Sequence, residues 1–375
     1  MKVNQISLSG RNWCDALSTI SVDPNLFLLF VSPGFTLKTD VLSELYHRYP
    51  DALVIGCSTA GEISGITVKD HSIALTAIQF EKTQLKLVSV KVEDKRSSEK
   101  AGKKIAEKLF KQDLKHVFVL SDGLSVDGAD LVSGLKLNLN NVSITGGMAA
   151  DGEDFNKTFV IKNNEILEDT VVALGLYGEN LRVGYGSEGG WYSFGIERLV
   201  TKSDKNILYE LDGEPALSFY KRLLGKEADR LPSSGLLFPF NIRIGKDSIP
   251  IVRGVSGINE KDQSLIFTTD IPKGAFMRLM TGNADRLING AKYSAKAAIQ
   301  NIKEGVELAV LITCIGRRLA LKQLVEEEVE AVQEVIGGDS KITGFYSYGE
   351  MAPFGELSPC ALHHQTMTVT TFKEC

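Results

Sequence analysis

"GCSTAGE" (Gly56–Glu62), "GMAADGE" (Gly147–Glu153) and "GFYSYGE" (Gly344–Glu350) place one pattern, Gly-x-x-x-x-Gly-Glu, three times in a chain of 375 residues. Each copy has the spacing of a phosphate-binding loop until its last residue, where such a loop needs Lys. Glu62, Glu153 and Glu350 would each repel a phosphate, which excludes nucleotide binding of that type. Glycines at both ends permit tight turns and close chain approach. The loops are therefore turns of a repeated unit first, and candidate sites second.

The same order of elements surrounds each copy. A β-rich apolar run comes first: "NLFLLFVSP" (Asn25–Pro33), "HVFVLSDG" (His116–Gly123) and "ELAVLITCIG" (Glu307–Gly316). A helical pattern follows, clearest in the third copy, where Leu321, Val325, Val329, Val332 and Ile336 recur at three- and four-residue steps. Gly337-Gly338 ends that helix. A short strand leads into the loop, and a further strand follows: "SIALTAIQF" (Ser72–Phe80), "TVVALGLYG" (Thr170–Gly178) and "TMTVTTF" (Thr366–Phe372). This order predicts an α/β protein: two related α/β domains with mixed β-sheets and packed helices, internally duplicated, over residues 1–210 and 211–375. An insert from about Gly184 to Asn301 separates the third copy from the others, and a helix is expected over Asp285–Ile302 with Ile288, Ala291, Ala295, Ala298 and Ile302 on one face.

Composition narrows the class. Charged residues make up 24% and hydrophobic ones 43%, ordinary for a globular protein, and the net charge is −5. An acidic balance argues against nucleic acid or an anionic membrane as the main partner. "MKVNQISLSGRNWCDAL" lacks the apolar stretch of a signal peptide, and the apolar runs are too short to span a bilayer. The five cysteines are scattered without a Cys-x-x-Cys pair, so a reduced, cytoplasmic setting is expected.

The glycine loops offer backbone N–H groups to an anionic ligand end, and their Glu side chains could take an ammonium or another donor. The candidate ligand residues are Gly56, Cys57, Ser58, Thr59, Gly61 and Glu62 in the first loop. Gly147 and Glu153 come from the second, and Gly344, Tyr346, Gly349 and Glu350 from the third. No catalytic residue is assigned. The alternative is a thiol- or hydroxyl-dependent hydrolase or transferase using Cys57 or Ser58, although no Gly-x-Ser-x-Gly elbow is present. Of five histidines, His363-His364 is the unusual pair; alternation along a strand would point them to opposite faces, so they do not chelate one metal as a simple pair.

"IGCSTAGEISG", "GGMAADGEDF", "YELDGEPALSFYKRLLG", "GFYSYGEMAPFG" and "LHHQTMTV" together resemble the FIST proteins, with a FIST N-type domain over 1–210 and a FIST C-type domain over 211–375. The resemblance implies a sensory module of signal transduction that binds a small ligand such as an amino acid. The two domains account for the residues given, so a stand-alone member is expected, acting on a partner such as a histidine kinase in a two-component system, with a homodimer open. Some members of this kind imply haem b and nitric-oxide sensing. On that reading the iron ligand is His363, which matches the family's Leu-His, with His364 as the alternative.

Overall fold

The computed structural model describes all residues except 10–12, 35–39, 140, 246–247, 249, 301, 303–304 and 354–358, together with the side chains of residues 14 and 40. Asn301 and the Phe354-Gly355 end of "GFYSYGEMAPFG" lie outside the described residues.

Three units of one plan build a mixed α/β body. Each runs strand, helix, strand, helix, strand, hairpin, strand. Unit one uses Lys2–Leu8, Leu26–Val31, Leu53–Ser58 and Ile73–Gln79; unit two uses Gln84–Lys91, Leu114–Ser121, Ser143–Met148 and Thr170–Tyr177; unit three uses Leu181–Glu188, Leu308–Cys314, Lys341–Ser347 and Met367–Glu374. In every sheet the order is first, last, second, third strand, and only the second and third run parallel. Two of those second strands, Leu26–Val31 and Leu308–Cys314, are buried along their whole length, and Leu114–Ser121 is buried apart from Lys115. A central strand covered on both faces has no reason to alternate polar residues, so it reads as one apolar run.

The hairpins are exchanged. Unit one's hairpin, Glu62–Ser64 with Thr67–Lys69, completes the sheet of unit three. The hairpin of unit two, Val160–Lys162 with Glu165–Leu167, completes the sheet of unit one. That of unit three, Gly349–Pro353 with Cys360–His363, completes the sheet of unit two. The exchange closes a ring, and side chains from all three units fill its centre. Leu28, Phe30, Phe118, Leu174, Ile312 and Phe345 share one cluster, with the Phe30 and Phe345 rings 4.7 Å apart. Each such buried side chain contributes about 1.5–3 kcal/mol relative to exposure.

A nine-stranded sheet, within residues 192–281, is inserted after the first strand of unit three. It has its own core, including Val200, Leu208, Tyr220, Phe240 and Phe267, covered by the helix Ala216–Leu224. The insert is thus shorter than the sequence predicts. Leu181–Glu188 and the helix Ala284–Ile299 belong to unit three, and Leu287 rather than Ile288 occupies the helix's buried face. Gly184 and Gly186 let strand and helix touch: a Cβ there would meet Ala298 O at 1.8 Å and Ser294 O at 2.1 Å. The long third helix is broken into Ile315–Leu321 and Val325–Ile336, with Lys322 at φ 56° between them and Gly337 ending the second piece.

Candidate ligand site

The loops leave the third strands at a glycine that faces the neighbouring backbone. Gly56 pairs with Leu29 and Gly344 with Leu311; in unit two the same place belongs to Gly146, opposite Val119. A Cβ at any of them would lie 1.9–2.0 Å from the partner's carbonyl oxygen. The second loop is therefore one residue out of step with the other two. Gly147 is not the counterpart of Gly56 and Gly344, and Glu153 is not the counterpart of Glu62 and Glu350. In sequence Gly147 fits the spacing to Gly152 and Glu153, while the strand register selects Gly146.

The first and third loops end alike. Glu62 accepts hydrogen bonds from Thr59 Oγ1, from Ser72 Oγ (2.7 Å) and from Ser72 N (3.2 Å). Glu350 accepts from Ser347 Oγ (2.7 Å), Thr366 Oγ1 (2.8 Å) and Thr366 N (3.2 Å). Both carboxyl groups are buried, and burial pushes Glu62 up to about 7 and Glu350 up to about 8. Each one ties its loop to the start of the last strand. In unit two this work falls to two aspartates. Asp122 accepts from Leu124 N, Ser125 N, Thr158 Oγ1 and Asp169 N, while Asp151 accepts from Asn156 N and Lys157 N. Glu153 is exposed and lines an open cavity of about 340 Å³, shared with Ala60, Asp70, Arg318 and Lys322.

The remaining first-loop candidates face inward. Cys57 lies among Leu28, Phe30 and Ile55 with no exposure, and burial raises its thiol well above the ordinary range. Ser58 Oγ accepts from Phe159 N at 3.1 Å. Among the described residues no base is hydrogen-bonded to either side chain. Gly61, at φ 135°, packs against Arg318, where a Cβ would meet Nη1 at 2.6 Å. Tyr346 donates to Glu328 Oε1 at 2.6 Å, and Gly349 packs on Met148 Sδ.

The second and third loops meet at a space that the loop pattern did not single out. Tyr348 reaches from the third loop into the second, where its hydroxyl donates to Asp151 and its ring stacks on Phe155 at 4.5 Å. Beside this contact lies a cavity of about 230 Å³. Unit two supplies Leu124, Val126 and Met148, unit three supplies Ile315, Leu362 and His364, and the inserted sheet closes the far side with Gly254, Phe267, Thr268 and Thr269. No carboxylate is among the described lining residues, and Lys95 is the one charged side chain at its edge. His364, held down to about 3 by burial, is neutral there, with Nε2 3.3 Å from Thr268 Oγ1.

Two oxygens in this wall have no partner among the described residues: Gln365 Oε1 and Thr269 Oγ1, both buried. Gln365 Nε2 donates to Leu236 O at 2.8 Å, and Trp191 Nε1 donates to Gln365 O at 2.9 Å. Gln365 is held at φ 67°, and Phe155 across the cavity at φ 48°. Left-handed backbone at residues other than glycine costs free energy and collects at ligand clamps and switches. Sequence reading passed over Gln365, Thr269 and Arg253 because isolated residues of these types carry no spacing signal. His363 lies in the exchanged hairpin, buried, and its Nε2 donates to Ala352 O at 2.8 Å. None of the proposed loop residues lines this cavity; of the sequence candidates His364 alone does.

Comparison with known proteins gives two family matches that together span most of the chain: the FIST N domain over residues 25–214 and the FIST C domain over residues 216–353. An uncharacterized protein of Methanocaldococcus jannaschii, MJ1623, is 26% identical over 359 residues, covering 84% of this chain and 68% of its own length. An uncharacterized protein of Mycobacterium bovis, Mb0898c, is 21% identical, covering 93% of this chain and 90% of its own. Among solved structures, a cyanuric acid hydrolase from A. caulinodans aligns over 100% of this chain and 99% of its own at 7% identity, with a TM-score of 0.38.

Proposed function

This chain belongs to the FIST family, and we propose that it is a sensor whose ligand occupies the cavity between the second loop, the third loop and the inserted sheet. FIST domains are associated with sensory signal transduction. The observation that carries the reading is the pair of buried, unpartnered oxygens, Gln365 Oε1 and Thr269 Oγ1. A buried polar group without a partner costs about 1–3 kcal/mol. A ligand that donates to Gln365 and bonds the Thr269 hydroxyl removes that cost. The apolar walls and absent carboxylates favour a small, uncharged, largely apolar molecule bearing an N–H or O–H over an amino-acid zwitterion.

Signalling follows from where the cavity sits. The insert meets the three-unit body through Gln365–Leu236 and His364–Thr268, beside the Trp191–Gln365 bond where the chain enters it. A ligand bridging the same wall shifts the sheet's position if it binds one arrangement better than the other. The readout is a signalling partner such as a histidine kinase, in the cytoplasm; no described helix is long and apolar enough to cross a membrane.

The haem reading draws no support from these residues. His363 Nε2 donates to the Ala352 carbonyl inside its own hairpin, and His364 Nε2 lies 3.3 Å from Thr268 Oγ1. The cavity beside both histidines, about 160 Å³, falls below the roughly 300–1,000 Å³ of pockets for drug-sized ligands, which are themselves smaller than a porphyrin.

Thr269→Val tests the orphan oxygen. It keeps the shape and deletes the hydroxyl, so stability stays level or rises by up to about 1 kcal/mol. Indole, an apolar ring with one N–H, serves as the probe in a titration followed by amide NMR shifts. The prediction is weaker indole binding in Thr269→Val than in wild type. A variant that binds indole equally well and loses stability would return Thr269 to a structural role.

A further inference from the structure

Behind His364 and Leu362 lies a second cavity, of about 160 Å³, bounded by the end of the Leu181–Glu188 strand, by Thr366 and by Ile251–Arg253. Arg253 lines it and is 6% exposed. Among the described residues its guanidinium makes one hydrogen bond, from Nη1 to Val252 O at 3.1 Å, and Nε is buried without a partner. No carboxylate forms an ion pair with it among the described residues; the negative charge that bears on it is that of Asp127, beyond ion-pair distance and outside the cavity lining.

A second buried arginine, Arg317, sets the standard. Arg317 bonds Glu328 through Nε (3.1 Å) and Nη2 (2.7 Å), Leu287 O through Nη2 (2.8 Å) and Gly189 O through Nη1. A cation taken out of water needs this kind of compensation, because desolvation is otherwise unrepaid. Among the described residues Arg253 has the burial with one backbone hydrogen bond and the charge of Asp127 at a distance, and no bonded carboxylate. The part of the guanidinium without a hydrogen bond among the described residues is the Nε–Nη2 edge, the fork that matches a carboxylate with two parallel hydrogen bonds. Ser187 lines the same space; its Oγ accepts from Thr368 Oγ1 at 3.2 Å, which leaves the Ser187 hydrogen to donate.

We propose that this cavity is a binding site for a small carboxylate monoanion, held side-on by Arg253 and steadied by the Ser187 hydroxyl. The site is separate from the larger cavity, and the two share only Leu362 and His364. Glu188 stands at its exposed mouth and is the one acidic side chain among the described lining residues. It opposes entry of an anion.

Acetate is the probe and acetamide its uncharged control, each titrated at constant ionic strength with the thermal midpoint as readout. Acetate is expected to raise the midpoint with concentration, and acetamide to leave it unchanged. Arg253→Lys keeps the charge but not the fork, and its acetate affinity should drop by about tenfold. Arg253→Met should fold, match or exceed the wild-type midpoint without acetate, and lose the acetate response. Glu188→Gln should bind acetate more tightly, and Thr269→Val should bind it as wild type does, which separates this site from the larger one. Equal responses to acetate and acetamide would overturn the proposal, as would no response to either. So would a large loss of stability shared by Arg253→Met and Glu188→Gln, since that makes Glu188 the internal partner of Arg253.

Discussion

Glu62 and Glu350 close their loops from inside, each accepting two hydroxyl bonds and one N–H bond. Their carboxyl groups are raised by burial to about 7 and about 8, against an ordinary Glu near 4.3. A value raised on folding means that the folded chain holds protons the unfolded chain has released. The stabilisation is complete below about pH 4.3 and drains away as pH rises to 7 for Glu62 and 8 for Glu350, at about 1.4 kcal/mol per pH unit for each protonated carboxyl. His116, His363 and His364, held down by burial to about 3, 4 and 3, act in the opposite sense below about 6.5. They cancel when wild type is compared with a Glu62→Gln, Glu350→Gln variant, since Gln mimics the protonated acid. Urea unfolding at pH 5 and pH 8 should show wild type losing stability relative to that variant. Parallel pH profiles would mean that both carboxylates ionise freely in the fold. These residues were legible as a repeated pattern, but their role was not. Sequence gives the spacing of Glu62 from Thr59, and conceals that Ser72 supplies the other donors.

At the scale of elements, one buried ion pair fixes the helices of unit three. Arg317, on Ile315–Leu321, reaches Glu328 on Val325–Ile336 and the carbonyl of Leu287 on Ala284–Ile299, while Tyr346 from the third strand donates to the same Glu328. Both charged side chains have zero exposure. Removing one partner strands the other in the core, so Arg317→Met or Glu328→Leu alone should cost about 3–5 kcal/mol in denaturant unfolding. The double variant should recover much of that loss. Additive losses would show that the two groups stabilise the unit separately. The second strands were readable because buried central strands are largely continuous apolar runs, and the third and last strands by their place on either side of each glycine loop. First strands were not: Gln84–Lys91 is only partly buried and alternates with lysines, and Lys2–Leu8 is half-buried. The break at Lys322 was invisible because apolar spacing carries smoothly across it.

For the whole molecule, the repeated order correctly indicated a mixed α/β fold built by duplication. It could not indicate the exchange of hairpins, because Glu62 and Phe345 are register partners far apart in sequence, and nothing local marks such a pairing. The two family matches meet between residues 214 and 216, yet strands from both sides of that point share sheets. The exchange also creates the cavity, since Tyr348 and Leu362 enter unit two's loop region on either side of a donated hairpin strand. Gly254 gives the most direct test of that cavity as the ligand site. A Cβ there would make ordinary contact, 3.6 Å from Gln365 Nε2 and from Leu236 Cδ2, and its backbone is not left-handed. Gly254→Val therefore adds a side chain to the cavity wall at a position that accepts a Cβ. In wild type, indole should shift the amide resonances of Gly254, Thr269, Tyr348 and Gln365, and in folded Gly254→Val those shifts should vanish. Shifts that persist unchanged in Gly254→Val, or that map elsewhere in wild type, would contradict the account.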